Sequence, residues 1–180
     1  PPRSTRKESS AASDVYKRQG NGVIDLGTAA VTGTVALTTN GSGNATVDNG
    51  TLNLDLAASN VGGNLTVTSG NSSGITDSGT VTVGGNLSAT TDANNGVIDL
   101  GTAAVDGTVA LTTNGTGNAT IVNDAGLSFI ASTVGGALSA TATTGNITDS
   151  AALAITGTTI LVTSADDATI TLDTTTNAFT

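Results

Sequence analysis

The chain predicts an all-β fold, a parallel β-helix (β-solenoid) of short coils stacked along one axis. Three observations carry that prediction. The stretch GVIDLGTAAVTGTVALTTNGSGNAT at 22–46 returns 74 positions later, at 96–120, with two changes, Thr32 to Asp106 and Ser42 to Thr116. Inside that period, short apolar strands recur, each introduced by a glycine. Within each strand, apolar and polar residues alternate with the period of two that a half-buried strand requires. Copies this faithful mark a tandem array in which each unit buries its apolar face only against its neighbours. Thr, Val, Asn and Gly dominate, and the period is 2 rather than 3.6, so a helical alternative fails on both propensity and pattern.

Residues 1–19, PPRSTRKESSAASDVYKRQ, share no pattern with the rest of the chain. They hold all five basic residues, both prolines, the only Tyr and the only Glu. Mixed charge and the lack of an apolar h-region argue against a signal peptide. The run Ser9 to Gln19 resembles the in-frame translation of a transposon-end sequencing adapter. Pro1 to Thr5 resembles the primer ahead of it, with Arg6, Lys7 and Glu8 in the index position. The expectation is a disordered, adapter-derived leader at 1–19, and an array at 20–180 that is a piece of a longer protein, with repeats at 22–95 and 96–168.

The array reads coil by coil from the glycines that precede strands: Gly33, Gly63, Gly85, Gly107, Gly136 and Gly157. Their intervals are 30, 22, 22, 29 and 21 residues. These predict coils of about 22 residues, three to a repeat, one of them enlarged by an insertion near 48–58 and again near 122–132. Such a coil suits three short strands joined by turns. In the coil from Gly85 they are NLSATT (86–91), GVIDL (96–100) and TAAV (102–105), with Gly and Asn at the corners for sharp turns. Alternation turns Val35, Leu65, Leu87, Val109 and Leu138 inward at one position, and Leu37, Val67, Ala89, Leu111 and Ala140 at the next. A core this narrow has little room for aromatic rings. Six to seven coils at about 4.8 Å each give a rod near 30 Å long.

Composition excludes several function classes. Residues 20–180 contain no Lys, Arg, His, Cys, Met, Trp, Tyr, Pro or Glu, and twelve Asp supply all their charge. A surface of one sign repels nucleic acid and anionic membranes. Without Cys there is no disulfide framework, and no apolar run approaches the roughly 18 residues of a membrane span.

The motifs VGGNLTVTS (61–69), VGGNLSATT (83–91), VGGALSATA (134–142) and GNITDSAALAITG (145–157) resemble the repeats of large bacterial surface exoproteins, the filamentous-haemagglutinin-like adhesins and related β-strand-repeat proteins. The resemblance covers essentially all of 20–180. It implies a right-handed β-helical stalk, exported through an outer-membrane translocator and displayed outside the cell. The rod would hold an adhesive region toward a host surface, a neighbouring cell or matrix. Cut ends without capping units are expected to self-associate end to end. Two other readings stay open: the scaffold of a secreted carbohydrate-active enzyme, and a calcium-dependent surface-layer component.

Aspartates are the only chemistry on offer. Asp77, Asp99 and Asp149 fall 14, 14 and 13 residues after their coil glycines, and Asp25 is the copy of Asp99. That spacing places Asp77 and Asp99 on adjacent coils, about 5 Å apart, where a Ca²⁺ ion would relieve their repulsion. The simpler expectation is a solvated Asp at a turn, and the nonapeptide calcium repeat is absent. Asn64 and Asn86 invite an amide ladder; with Asn44, Asn71, Asn118 and Asn146 they also lie in N-x-[ST] sequons, which this composition generates freely. The Thr rows Thr34/Thr38 and Thr66/Thr68 suggest an ice-binding face, but their equivalents drift to Ser88 and Ser139. A glycosidase-like carboxylate pair would have to be Asp alone, and nothing marks one pair out, so no enzymatic activity is expected.

Overall fold

The computed structural model describes residues 13–17 and 21–180. The other positions of the 1–19 leader lie outside the described residues. Among the described residues every regular element is a β-strand and every strand pairing is parallel. Successive coils stack into two sheets of eight layers each, so the chain is the β-solenoid that alternation predicts.

Each coil gives one arm to each sheet, and arms come in two lengths. A short arm is one strand, such as Leu65–Ser69 or Leu87–Thr91. A long arm is two three-residue strands, such as Ile75–Asp77 with Val81–Val83, or one eight-residue strand, Ile98–Val105. A long and a short arm together make the three-strand coil. Paired residues on neighbouring coils are 19 to 24 positions apart, from Ala119↔Leu138 to Ala154↔Ala178. The spread brackets the expected 22.

Inward positions follow the alternation. Val35, Leu37, Leu65, Val67, Val109 and Leu111 are all fully buried. Burying each Leu or Val side chain contributes roughly 1.5–3 kcal/mol. The outward partners of the same strands are polar or small. Corners are tight. Asn94 and Asn95 hold φ of 54° and 55° ahead of Ile98. Gly74, at φ 64°, lies so close to the Val97 backbone that a Cβ there would collide with it.

The ladders differ from the expectation in one instructive way. Leu65, Leu87 and Val109 do pair in sequence, as do Val67, Ala89 and Leu111. Val35, however, pairs with Leu56, and Leu138 with Ala119, both in the other sheet. Following Val35 through Leu56 and Asp77 leads past Leu100 to Ile121. Val109, the copy of Val35, lies midway between the last two, on the opposite face. The 74-residue repeat is therefore three and a half coils, not three coils with an insertion. The apparent insertion is a second short arm in succession, Ala45–Asp48 in one copy and Ala119–Asn123 in the other. Seven arms per repeat is an odd number, so each copy begins on the sheet opposite its predecessor.

That double short arm forces unlike arms to stack at four places, and one buried polar side chain bridges each. Where the short arm Ala45–Asp48 lies on the long arm 24–33, Asn49 replaces the missing strand. Its Oδ1 accepts from Val31 N at 2.8 Å, and its Nδ2 donates to the carbonyls of Val31 and Asn53. Asn123 does the same for Val105 N and O, at 2.7 and 3.0 Å, and for Gly126 O. Where a long arm lies on a short one, Ser59 accepts from Leu37 N and donates to Ala57 O, and Ser132 serves Leu111 N and Ile130 O.

At the ends the pattern loosens. The strand Ser13–Lys17 pairs with Thr34–Thr38, although the leader is expected to stay outside the fold. An open sheet edge accepts any extended segment. Its register is Ser13↔Thr34, whereas the strand 74 residues on pairs Leu87↔Val109, one residue out of step with that. At the other end Thr159–Thr163 inverts the usual pattern. Thr159 pairs with the buried Leu138, its Oγ1 buried and without a hydrogen-bond partner, while Ile160 and Val162 face outward.

Candidate functional site

Asp77 and Asp149 occupy the same place in their long arms, the third residue of an Ile-Thr-Asp strand. There the strand turns a corner and the next coil presents backbone N–H groups with no sheet partner. Asp77 takes them up. Its Oδ1 accepts from Gly101 N at 2.9 Å, and its Oδ2 accepts from Thr102 N and the Thr102 hydroxyl, both at 2.7 Å. Asp149 does likewise about one repeat later, on the opposite sheet, its Oδ1 accepting from Asp173 N at 3.1 Å and its Oδ2 from the Asn177 side-chain amide. These carboxylates clip one coil to the next.

Asp149 is buried. Burial works to raise its pKa, but hydrogen bonds from the Asn177 side chain, from Thr174 and from the Asp173 backbone outweigh that and hold the carboxyl below its ordinary 3.8.

Asp99 is placed differently from what glycine counting suggests. The corner before Ile98 is one residue longer than the corner before Ile75, so Asp99 is the second residue of its arm, not the third. It pairs with Thr76 and Thr120, and it is exposed. Asp25, its copy, is an exposed strand residue paired with Thr46, and its Oδ1 accepts from Gly27 N at 3.0 Å. Asp149 lies in the sheet opposite Asp77 and Asp99. The structure thus does not bring the three calcium candidates together. Among the described residues no group of three or more His, Cys, Asp or Glu is placed to hold a metal ion.

The Asn row does link coil to coil, but through the backbone and not from amide to amide. Asn44 Oδ1 accepts from Asn64 N at 2.8 Å, Asn64 Oδ1 from Asn86 N at 2.9 Å, and Asn86 Oδ1 from Thr108 N at 2.9 Å. An open groove of about 390 Å³ runs over the corner formed by Val105, Asp106, Gly126, Leu127 and Asn146. It pairs no acid with a base. No helix among the described residues is long and apolar enough to cross a membrane.

The polar residues that matter most to the fold, Asn49, Asn123, Ser59 and Ser132, are not among those the sequence singles out. Their only sequence signal is a polar residue at an inward position beside an over-long glycine interval. In the comparison with protein families, residues 42–114 and 116–180 match "Repeats of unknown function (DUF5649)", the first match about one 74-residue period long. No curated protein and no solved structure matches the chain.

Proposed function

From the premise that the chain belongs to the DUF5649 repeats, we propose that it is the stalk and adhesive repeat region of a secreted bacterial surface protein. One observation carries the proposal: the polar chemistry of the array is spent on joining coils. Asp77 and Asp149 clip corners, Asn49 and Asn123 patch unlike arms, and Asn44, Asn64 and Asn86 link coil to coil. A chain built this way supplies length and stiffness, and a rod projecting from a cell uses both. The acidic, hydroxyl-rich exterior suits a solvated surface outside the cell. Partners are a host surface, another cell or matrix, with an outer-membrane translocator during export.

Immunogold labelling of source cells with antibody raised against residues 21–180 tests this. Gold on fibrils outside the cell is the expected result. Gold confined to the cytoplasm would sink the proposal.

A further inference from the structure

We infer that Asn40 and Asn114 are sites of covalent modification, each placed to lose its side-chain amide to water and become an acid. The inference is independent of the stalk proposal. The array holds five Asn-Gly pairs, beginning at Asn21, Asn40, Asn49, Asn95 and Asn114. In such a pair the glycine nitrogen, with no side chain on its own Cα to hinder it, attacks Cγ of the preceding Asn. The nitrogen gives up its proton as it bonds to Cγ, the Cγ–Nδ2 bond breaks, and ammonia leaves a five-membered succinimide behind. Water then opens the ring, at Cγ to give Asp or at the main-chain carbonyl to give isoaspartate. The net change is amide plus water to acid plus ammonia, and no other reactant is needed. Two restraints block the first step: a hydrogen bond that fixes the Asn amide, and one that occupies the glycine N–H.

The fold divides the five pairs by those restraints. Asn49 has both: its buried amide makes three hydrogen bonds, and Gly50 N donates to Asp48 Oδ1 at 2.8 Å. Asn95 has both as well. Its Oδ1 accepts from Thr116 N at 3.0 Å, and Gly96 N donates to Ala93 O at 3.1 Å. Asn21, the earlier copy of Asn95, keeps the first, its Oδ1 accepting from Ser42 N at 3.1 Å. Asn40 and Asn114 have neither. Both are exposed, and among the described residues neither side chain has a hydrogen-bond partner, nor does the N–H of Gly41 or Gly115. The main chain of each corner is held, by Gly43 N on Asn40 O at 3.4 Å and by Gly117 N on Asn114 O at 3.0 Å, but the side chain is not. Asn40 and Asn114 are copies of one another, 74 positions apart, so the same corner of each repeat carries the reactive pair. Conversion of both adds two carboxylates to the twelve Asp of an array that has no base to offset them.

Incubation of the full chain in mildly alkaline heavy-oxygen water, folded and in urea, tests this. Acid-quenched peptic peptides are read by mass spectrometry, with circular dichroism confirming the folded sample throughout. Ser42 and Thr116 give the two otherwise matching peptides different masses, and fragmentation separates Asn40 and Asn114 from Asn44 and Asn118. In urea all five pairs are expected to incorporate heavy oxygen at similar rates. In the folded chain Asn40 and Asn114 are expected to convert first and Asn21 after them. Asn49 and Asn95 should be at least about tenfold slower than Asn40 and Asn114, since they react only from locally opened forms. Conversion of folded Asn49 or Asn95 as fast as that of Asn40 and Asn114 would overturn the inference. So would a folded chain in which Asn40 and Asn114 stay intact over the time that converts all five in urea.

Discussion

Asn123 has no exposure at all, and its amide makes three hydrogen bonds to backbone, two of them to the N–H and C=O of Val105. Replacing it by Leu keeps the branched four-atom shape and orphans both Val105 groups. Leaving a buried backbone group unsatisfied costs about 1–3 kcal/mol. Asn123→Leu is therefore expected to destabilise by about 3 kcal/mol, read as a lower urea midpoint at unchanged slope. Asn64→Ala removes an acceptor from an exposed row where water can substitute, and less than about 1 kcal/mol should be lost. Equal losses at the two sites would show that Asn123 is not a strand substitute. Asp149 adds a pH dependence. Its folded pKa lies below its unfolded one, so the unfolded chain binds the extra proton. Its contribution to stability is complete above the ordinary 3.8 and is lost as pH falls through the folded value. Acid melts of the parent and of Asp149→Asn should diverge at neutral pH and converge below that window; curves that stay parallel would discount the clip.

The arms themselves make a sharper test. Deleting residues 45–53 removes one short arm and with it the first pair of mismatches. The arm at 24–33 then rests on the long arm at 54–61, and Thr34–Thr38 comes into register with Leu65–Ser69. Ala36 and Thr66, on opposite sheets in the parent, become neighbours on one outer face at an inter-strand spacing within disulfide range. The variant with Cys at both positions is expected to cross-link only in the deletion background, which non-reducing electrophoresis will show. Much of this architecture is legible in the sequence. Alternation in LTVTS and LSATT assigns Leu65 and Leu87 to the core, and Gly-Gly pairs mark the corners. The change of face is not legible, for a physical reason. The extra short arm, ATVDN, offers only Ala45 and Val47 as apolar inward residues, then a buried Asn49 that reads as a turn. Counting glycines merges that arm into an interval of 30 and hides the half coil. The same counting sets Asp99 level with Asp77, because a one-residue difference between corners is invisible to it.

At the scale of the molecule, stability is a sum over neighbouring layers, and the end layers have one neighbour instead of two. Hydrogen exchange should follow that gradient. Amides of Leu65–Ser69, Leu87–Thr91 and Ile98–Val105 are expected to exchange slowest, and those of Thr159–Thr163 and Ile170–Thr171 fastest. Uniform protection from end to end would indicate one cooperative block instead of a chain of linked layers.

The odd count of arms has a consequence at the level of the gene. Near-identical tandem segments are prone to unequal recombination, which adds or removes whole copies. Here each copy gained or lost moves everything distal to it by about 17 Å along the axis, three and a half inter-strand spacings, and also turns it through half a revolution. A domain carried beyond such an array would face one way with an even number of copies and the other way with an odd number. Replication slippage would then switch orientation as well as reach, and only pairs of copies would be gained or lost without reversing what the rod presents.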